Sequence, residues 1–291
     1  MQNMNKDFVD KSMVAGIVVL YNPSETVIES INSYLNQVDH LFIVDNSEKE
    51  NHFIKNELKR NVSYLFNNSN IGVAAALNLG AQKAIELGYS FILTMDQDSK
   101  APENMVDMLL NVMLRNKNVG IVSPLHSNKY DTHLRFNEDL ESINVVMTSG
   151  NLVSLEAYKK VGKFNDDFFI DYVDIEYCFR MNLNNYLIYR LNKTILQHNE
   201  ANLTTKRFLN RTYYPHNHNP FRLYYKTRNL LYLRKLYKTK LPDLLKIEYD
   251  SYLRTIVKIL LFEKQKFLKI NMILNGILDF VKGKKGQRVF S

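Results

Sequence analysis

FILTMDQDS, residues 91–99, is the stretch on which the reading of the fold turns. Phe91 to Thr94 are largely apolar and lead into Met95; Asp96 and Asp98 follow, one residue apart. A short apolar run bounded by turn residues reads as a buried strand. Two carboxylates therefore stand at that strand's carboxyl end, which is where open α/β sheets bind ligands. Carboxylates are hard oxygen donors. Mg²⁺ or Mn²⁺ is commonly held by one or two of them together with substrate phosphates. Two readings are open on these residues alone: a metal–diphosphate site, or a solvated Asp-rich turn.

Upstream, the same grammar repeats. Val14–Leu20, Leu41–Val44 and Val62–Phe66 are short apolar runs, each closed by polar residues: Tyr21-Asn22, Asp45-Asn46 and Asn67 to Asn70. Between them, Val27, Ile28, Ile31, Leu35 and Val38 recur at helical spacing, and an Ala-rich helix is expected from Val73 to Leu87 before Gly88. Asn22-Pro23 with Glu25 reads as the start of the first helix. Strands alternating with helices predict an α/β fold with a mostly parallel sheet flanked by helices. In a parallel sheet all four polar clusters share one edge, as a nucleotide pocket requires.

Downstream, a helix is expected from Pro102 to Arg115, a fifth strand over Val119–Ser123 and a long polar loop or lid over 124–144. Val145–Thr148 reads as a strand and Ser154–Val161 as a helix. In FFIDYVDIEYCFR, residues 168–180, a helix should begin near Val173 or Asp174, and an Asp there serves equally as a plain helix cap. Tyr186–Tyr189 and Thr194–Gln197 suggest two short strands ending at His198. His216 and His218 lack a third nearby ligand and read as a polar loop before a helix that has Pro220 in its first turn. Residues 241–281 then form one or two amphipathic helices.

Composition narrows the class. The chain has 291 residues, 45% hydrophobic and 23% charged, as in globular proteins. One cysteine, Cys178, excludes an intramolecular disulfide framework and a Cys-rich zinc site, and fits a reducing cytosol. The opening MQNMNKDFVDKS has no apolar run of signal-peptide length, and no segment has the ~20 apolar residues of a membrane span. The net charge of +8 is uneven: from Arg222 onward there are 17 Lys+Arg against 5 Asp+Glu. Such a basic segment suits anionic lipid, nucleic acid or a phosphate-bearing substrate.

Taken in order, VVLYNP (18–23), IVDNS (43–47), NNSNIGVAAALNLG (67–80), LTMDQDS (93–99), TSGN (148–151), FFIDYVDIEYCFR (168–180), QHN (197–199) and YYKTRN (224–229) resemble the inverting family-2 glycosyltransferases of GT-A fold, and within them bacterial rhamnosyltransferases. A change of composition near residues 205–215 sets a catalytic domain over 1–210, of GT-A type by the resemblance, apart from a basic helical extension over 211–291. It implies that Tyr21 and Asn22 line a nucleobase pocket, that Asp45 bonds the base, and that Asn70 and Gly72 shape the donor wall. Asp96 would contact ribose or metal, and Asp98 would ligate Mg²⁺ or Mn²⁺ on the donor diphosphate. His198 matches a position that supplies a metal ligand in some members. Asp174 matches the catalytic base, although Val173 replaces the usual preceding Glu; Asp171 is the alternative on the acceptor side. Tyr225, Arg228 and Asn229 would sit near donor phosphates or the diphosphate of the acceptor.

The activity so implied is inverting transfer of a sugar, with L-rhamnose from dTDP-rhamnose first, to a saccharide acceptor, expected to be lipid-linked. The enzyme would be cytoplasmic and peripheral at the inner face of the cell membrane, its basic helices on the lipid, on the catalytic domain or in a homodimer contact. The same fold using a UDP-hexose or UDP-galactofuranose donor is the alternative. A nucleotidyltransferase would want a Gly-rich basic loop after the first strand, and VVLYNPSE has none. A nucleic-acid-binding module built on the Tyr-rich basic tail would leave the Asp-lined sheet edge without a role.

Overall fold

Seven uncharged residues, rich in β-branched side chains, form β1 (Val14–Leu20), and all but Val19 are buried. Helix α1 (Val27–Leu35), β2 (His40–Asp45), α2 (His52–Glu57), β3 (Val62–Phe66), α3 (Val73–Glu86) and β4 (Phe91–Asp96) follow. The computed structural model describes residues 13–57, 61–127, 138–198, 206–208, 211–213, 217 and 219–290, and the backbone alone at residues 56, 198, 206–208 and 211–213. His216, His218 and part of the expected loop over 124–144 lie outside these residues.

The second half contains β5 (Ser99–Lys100), α4 (Met105–Arg115), β6 (Val119–Ser127), β7 (Leu140–Ser142), β8 (Asn151–Ser154), α5 (Leu155–Val161), α6 (Val173–Leu183) and β9 (Leu187–His198). A short hairpin, β10 (Lys206–Phe208) with β11 (Arg211–Tyr213), precedes α7 (Pro220–Tyr237), α8 (Pro242–Phe262) and α9 (Lys266–Val281). The main sheet runs β3-β2-β1-β4-β8-β6-β9-β5, with β7 also on β9. Strands β1, β2, β3, β4, β6 and β9 point one way, and β5, β7 and β8 the other. The expected mostly parallel α/β sheet is therefore present. Apolar clusters fill both of its faces, with Ala74, Ala76, Leu77 and Ala81 of α3 on one and Ile31, Met105 and Leu109 of α1 and α4 on the other.

Four local expectations change. Helix α1 starts at Val27 with Thr26 at its cap, not at Asn22, because Asn22 takes a left-handed turn (φ 46°) and its N–H bonds Ser47 Oγ at 2.8 Å. Residues 145–148 do not form a strand. Side chains hold that segment instead: Thr94 Oγ1 donates to Thr148 O and Asn151 Nδ2 to Met147 O, each at 2.6 Å. The two short strands expected after residue 186 are one strand, β9. A bulge absorbs its polar middle, where buried Asn192 donates from Nδ2 to Glu138 O at 2.8 Å. The polar stretch 124–144 begins within β6 and includes β7.

The last three helices pack on the sheet assembly and on one another. The body of α7 is buried on most sides, from Leu223 through Leu233. Gly276 lets α9 cross α7 closely: a Cβ there would stand 2.7 Å from Tyr224 O and 3.0 Å from Thr227 Cβ. Tyr224 OH donates to Asp279 across that crossing at 2.9 Å. Overpacking a tight core contact costs about 1–3 kcal/mol. Gly276→Val should therefore lower the unfolding free energy measured in urea by that order, whereas Gly283→Ala, in open space but at positive φ, should cost about 1 kcal/mol. Equal effects of the two substitutions would contradict the close crossing.

Candidate active site

The parallel strands β3, β2, β1 and β4 end at one edge, and their terminal residues open into a cleft of about 610 Å³. Tyr21 stands there, exposed, with its N–H on Gln97 Oε1 at 2.9 Å. Asn70 Oδ1 accepts from Gly72 N at 3.0 Å and so shapes the turn into α3. Gly72 has φ 88°, and a Cβ on it would lie 2.6 Å from the Phe169 ring. Asn46, which the sequence reading left unassigned, donates to Gly72 O at 3.2 Å and lines the cleft.

Asp45 sits behind this wall. It is fully buried, and its oxygens accept from Ser47 N at 2.8 Å, Asn51 Nδ2 at 2.6 Å and Tyr64 OH. Asn22 is likewise outside the lining. Between β4 and β5, Asp96, Gln97 and Asp98 form the lip of the cleft. Ser149 fixes this turn: its Oγ accepts from Asp96 N at 3.1 Å and donates to Ser99 Oγ at 2.8 Å.

Across from the lip lies the segment leading into α6. Phe169, Asp171 and Tyr172 all have positive φ (62°, 62° and 66°), a conformation that non-glycine residues keep only when their surroundings enforce it. Asn229 of α7 provides the enforcement. Its Nδ2 lies 2.7 Å from Phe168 O and 2.9 Å from both Ile170 O and Asp171 O. Val73 N donates to Phe169 O at 2.7 Å from the other side. Arg228 is fully buried, donates to Gly286 O at 2.7 Å and lies over the Tyr224 and Tyr225 rings. Tyr225 stacks on Phe169 at 5.1 Å. Tyr225, Arg228 and Asn229 are thus brought together, but beneath the cleft and not in its lining. The same helix presents Arg222 and Lys226 to the opening, two cations the sequence reading did not single out.

Asp171 is paired with Arg222 in a two-pronged contact, 2.6 Å and 3.2 Å. Asp174 lies in the first turn of α6 and lines the cleft, its Oδ1 accepting from Ile175 N at 2.9 Å. Loss of water raises its pKa, and the nearby negative charge of Asp171 adds to the rise. The helix carrying it is anchored by buried Glu176, which holds Arg180 at 2.8 Å and accepts from Tyr237 OH at 2.6 Å. On the outer wall, Glu248 of α8 has its pKa pushed up to about 7, first by burial and then by Asp174.

Among the described residues, no three His, Cys, Asp or Glu side chains converge as a metal site. Asp96 and Asp98 are a two-carboxylate pair, which fits an ion that keeps water and phosphate ligands better than one enclosed by protein. His198 pairs opposite Ser99 in the β5–β9 ladder, which places its backbone next to the lip.

A parallel sheet edge with acidic residues at the fourth strand, facing a half-buried carboxylate across an open cleft, defines a nucleotide-sugar glycosyltransferase. The chain belongs to glycosyl transferase family 2, whose sequence profile matches residues 17–185. The dTDP-rhamnosyl transferase RfbF of Shigella flexneri is 25% identical over 296 residues, covering 94% of this chain and 97% of that protein. The solved S. aureus TarS 1–349 superposes with a TM-score of 0.58 at 14% identity, over 92% of this chain and 81% of that one. GalNAc-T7, solved with UDP, GalNAc and Mn²⁺, gives a TM-score of 0.54 at 13% identity, over 68% of this chain and 44% of that one. These structural similarities establish the GT-A fold.

The Glu248 environment carries a pH signature. Its folded pKa of about 7 exceeds its ordinary 4.5, so between these values the folded state binds the extra proton. Stability contributed by this group is then present at low pH and falls as pH rises through that window. Glu248→Gln should flatten the decline of the urea midpoint between pH 5 and pH 7.5. An unchanged slope would show that Glu248 titrates normally.

Proposed function

We propose that this glycosyltransferase moves L-rhamnose from dTDP-rhamnose, with inversion, onto a hydroxyl of a lipid-linked saccharide in bacterial surface polysaccharide synthesis. The observation that carries the reading is that one cleft holds both the Asp96–Asp98 lip and the half-buried Asp174. Similarity to the Shigella dTDP-rhamnosyl transferase over nearly the whole chain supports the choice of donor. We assign the base pocket to Tyr21, Asn46 and Asn70, with Asp45 fixing the wall behind them.

In this mechanism, the acceptor oxygen bonds to the anomeric carbon as the bond from that carbon to the diphosphate oxygen breaks. Asp174 takes the proton of the attacking hydroxyl, a role that suits a carboxylate whose surroundings favour its protonated form. Asp171 stays paired with Arg222 and orients the guanidinium into the cleft. Arg222 and Lys226 offset negative charge on the departing dTDP. Asp96 and Asp98 would hold Mg²⁺ or Mn²⁺, which as a Lewis acid lowers the charge barrier at the leaving phosphate.

The C-terminal helices support a location at anionic lipid. No helix among the described residues is long and apolar enough to cross a membrane. Yet Leu253, Val257, Leu260, Leu261 and Leu278 are exposed, and Phe267 is 90% exposed, among numerous lysines. Exposed apolar side chains on helices rich in lysine suit a lipid interface, where each Lys or Arg adds about 1 kcal/mol.

Three experiments test these readings. Thermal shift with dTDP-rhamnose, UDP-glucose and UDP-galactose, with and without Mg²⁺ or Mn²⁺, should show metal-dependent stabilisation by dTDP-rhamnose. A shift with a UDP-sugar alone would replace the donor. Asp174→Asn should keep that shift while slowing transfer by about 10²–10⁴. In sedimentation with phosphatidylglycerol vesicles, Phe267→Glu with Lys266→Glu should remain in the supernatant while wild-type protein pellets. Equal pelleting would remove the lipid role.

A further inference from the structure

Helix α8 has an inverted pattern on the side facing the cleft. Glu248, Ser251, Tyr252 and Thr255 recur at positions i, i+3, i+4 and i+7, and all four line the opening. A helix packed only for stability would turn an apolar stripe inward. Leu244, Leu245 and Tyr249 of α8 do pack inward, but beside them one carboxyl and three hydroxyl-bearing residues line the cleft, and Leu253, Val257, Leu260 and Leu261 are exposed.

Position decides what this wall would meet. The strand edge that carries Tyr21, Asn46, Asn70, Asp96 and Asp98 takes up the donor side of the proposed reaction. Glu248 lies within the electrostatic reach of Asp174 and Lys226. A general base must be within hydrogen-bond reach of the proton it removes. The groups around Asp174 on the side away from the strand edge therefore surround the attacking sugar. Their chemistry matches a saccharide: the Glu248 carboxyl group accepts from ring hydroxyls and donates when protonated, and Ser and Thr hydroxyls both donate and accept. Tyr252 is held in place by its bond to Thr227 Oγ1 at 2.5 Å and lines the cleft beside Glu248.

We propose that the Glu248, Ser251, Tyr252 and Thr255 face of α8 is the acceptor-saccharide subsite, with Glu248 and Thr255 binding its hydroxyls. The proposal rests on the glycosyltransferase reading and extends it to residues beyond the family match at 17–185. The C-terminal helices then select the acceptor as well as contacting the membrane surface.

The test is saturation-transfer NMR on full-length protein with dTDP present, using octyl glycosides of glucose, galactose, N-acetylglucosamine and rhamnose as probes. Wild-type protein should bind at least one of them. Glu248→Ala and, separately, Thr255→Val should weaken that glycoside by about tenfold, as expected for loss of a hydrogen bond in a desolvated site. Affinity for dTDP, measured by calorimetry, should stay within about twofold, since the lost contacts are acceptor contacts. Far-ultraviolet circular dichroism checks that each variant is folded, and Thr255→Val, which removes one hydroxyl, guards against misfolding of the Glu248 variant. Unchanged glycoside affinity in both folded variants, or no glycoside bound by wild type, would overturn the subsite. A parallel loss of dTDP affinity would overturn it too, by assigning α8 to the donor. Glycoside binding without any dTDP binding would instead overturn the donor reading and leave the subsite standing.

Discussion

The carboxamide of Asn229 is the contact on which the acidic side of the cleft depends. It reaches the carbonyls of Phe168, Ile170 and Asp171, in a segment where three residues occupy left-handed backbone conformations. Each such conformation costs on the order of 1–3 kcal/mol, and none persists without external support. Support arrives from both sides, with Val73 N on Phe169 O and the Tyr225 ring stacked on Phe169. The result is a backbone path that directs Asp171 towards Arg222 and starts α6 where Asp174 faces the opening. The strand edge supplies the floor of the site, but α7 decides the geometry of its acidic wall.

This division explains which parts could be read from sequence. The strands β1 to β4 were legible because each is a short apolar run closed by polar residues, and a parallel sheet brings those closures together. Asp96, Asp98, Asn70 and Tyr21 followed from that rule and do line the cleft. The start of α6 at Val173 was legible as well, since polar and apolar residues change period there. Asn46 was overlooked beside Asp45 because two adjacent polar residues at a strand end look alike. Only the turn decides that Asp45 points inward to Tyr64 while Asn46 contacts the Gly72 loop.

The C-terminal helices were less legible for a different reason. Helix α7 is buried on most sides, so its sequence has no single apolar stripe from which to read a facing direction. YYKTRN suggested Tyr225, Arg228 and Asn229 as ligand contacts. All three are internal supports, and the exposed Arg222 and half-buried Lys226 on the same helix reach the opening instead. Helix α8 posed the reverse problem. Its apolar residues set its amphipathic reading, yet four of its polar residues line the cleft. No local pattern reveals which side of a helix a distant cleft will meet.

The Arg228 guanidinium has a consequence for how the molecule comes into being. It donates to the carbonyl of Gly286, while Gly286 N bonds Asp167 O at 2.8 Å and Lys285 pairs with Asp167 at 2.6 Å. The support beneath Phe169 and Asp171 thus closes through contacts between residues far apart in the chain, from 58 positions for Arg228 and Gly286 to 118 for Asp167 and Lys285. Such distant closure comes late in folding, after the local strand–helix units have formed. During synthesis the strand edge can assemble while the ribosome is still translating the helices. The acidic wall cannot, because it needs α7 and the segment around Gly286, which follow the strands in the chain. A nascent chain stalled before α9 therefore carries a formed strand edge opposite an acidic wall that is not yet fixed.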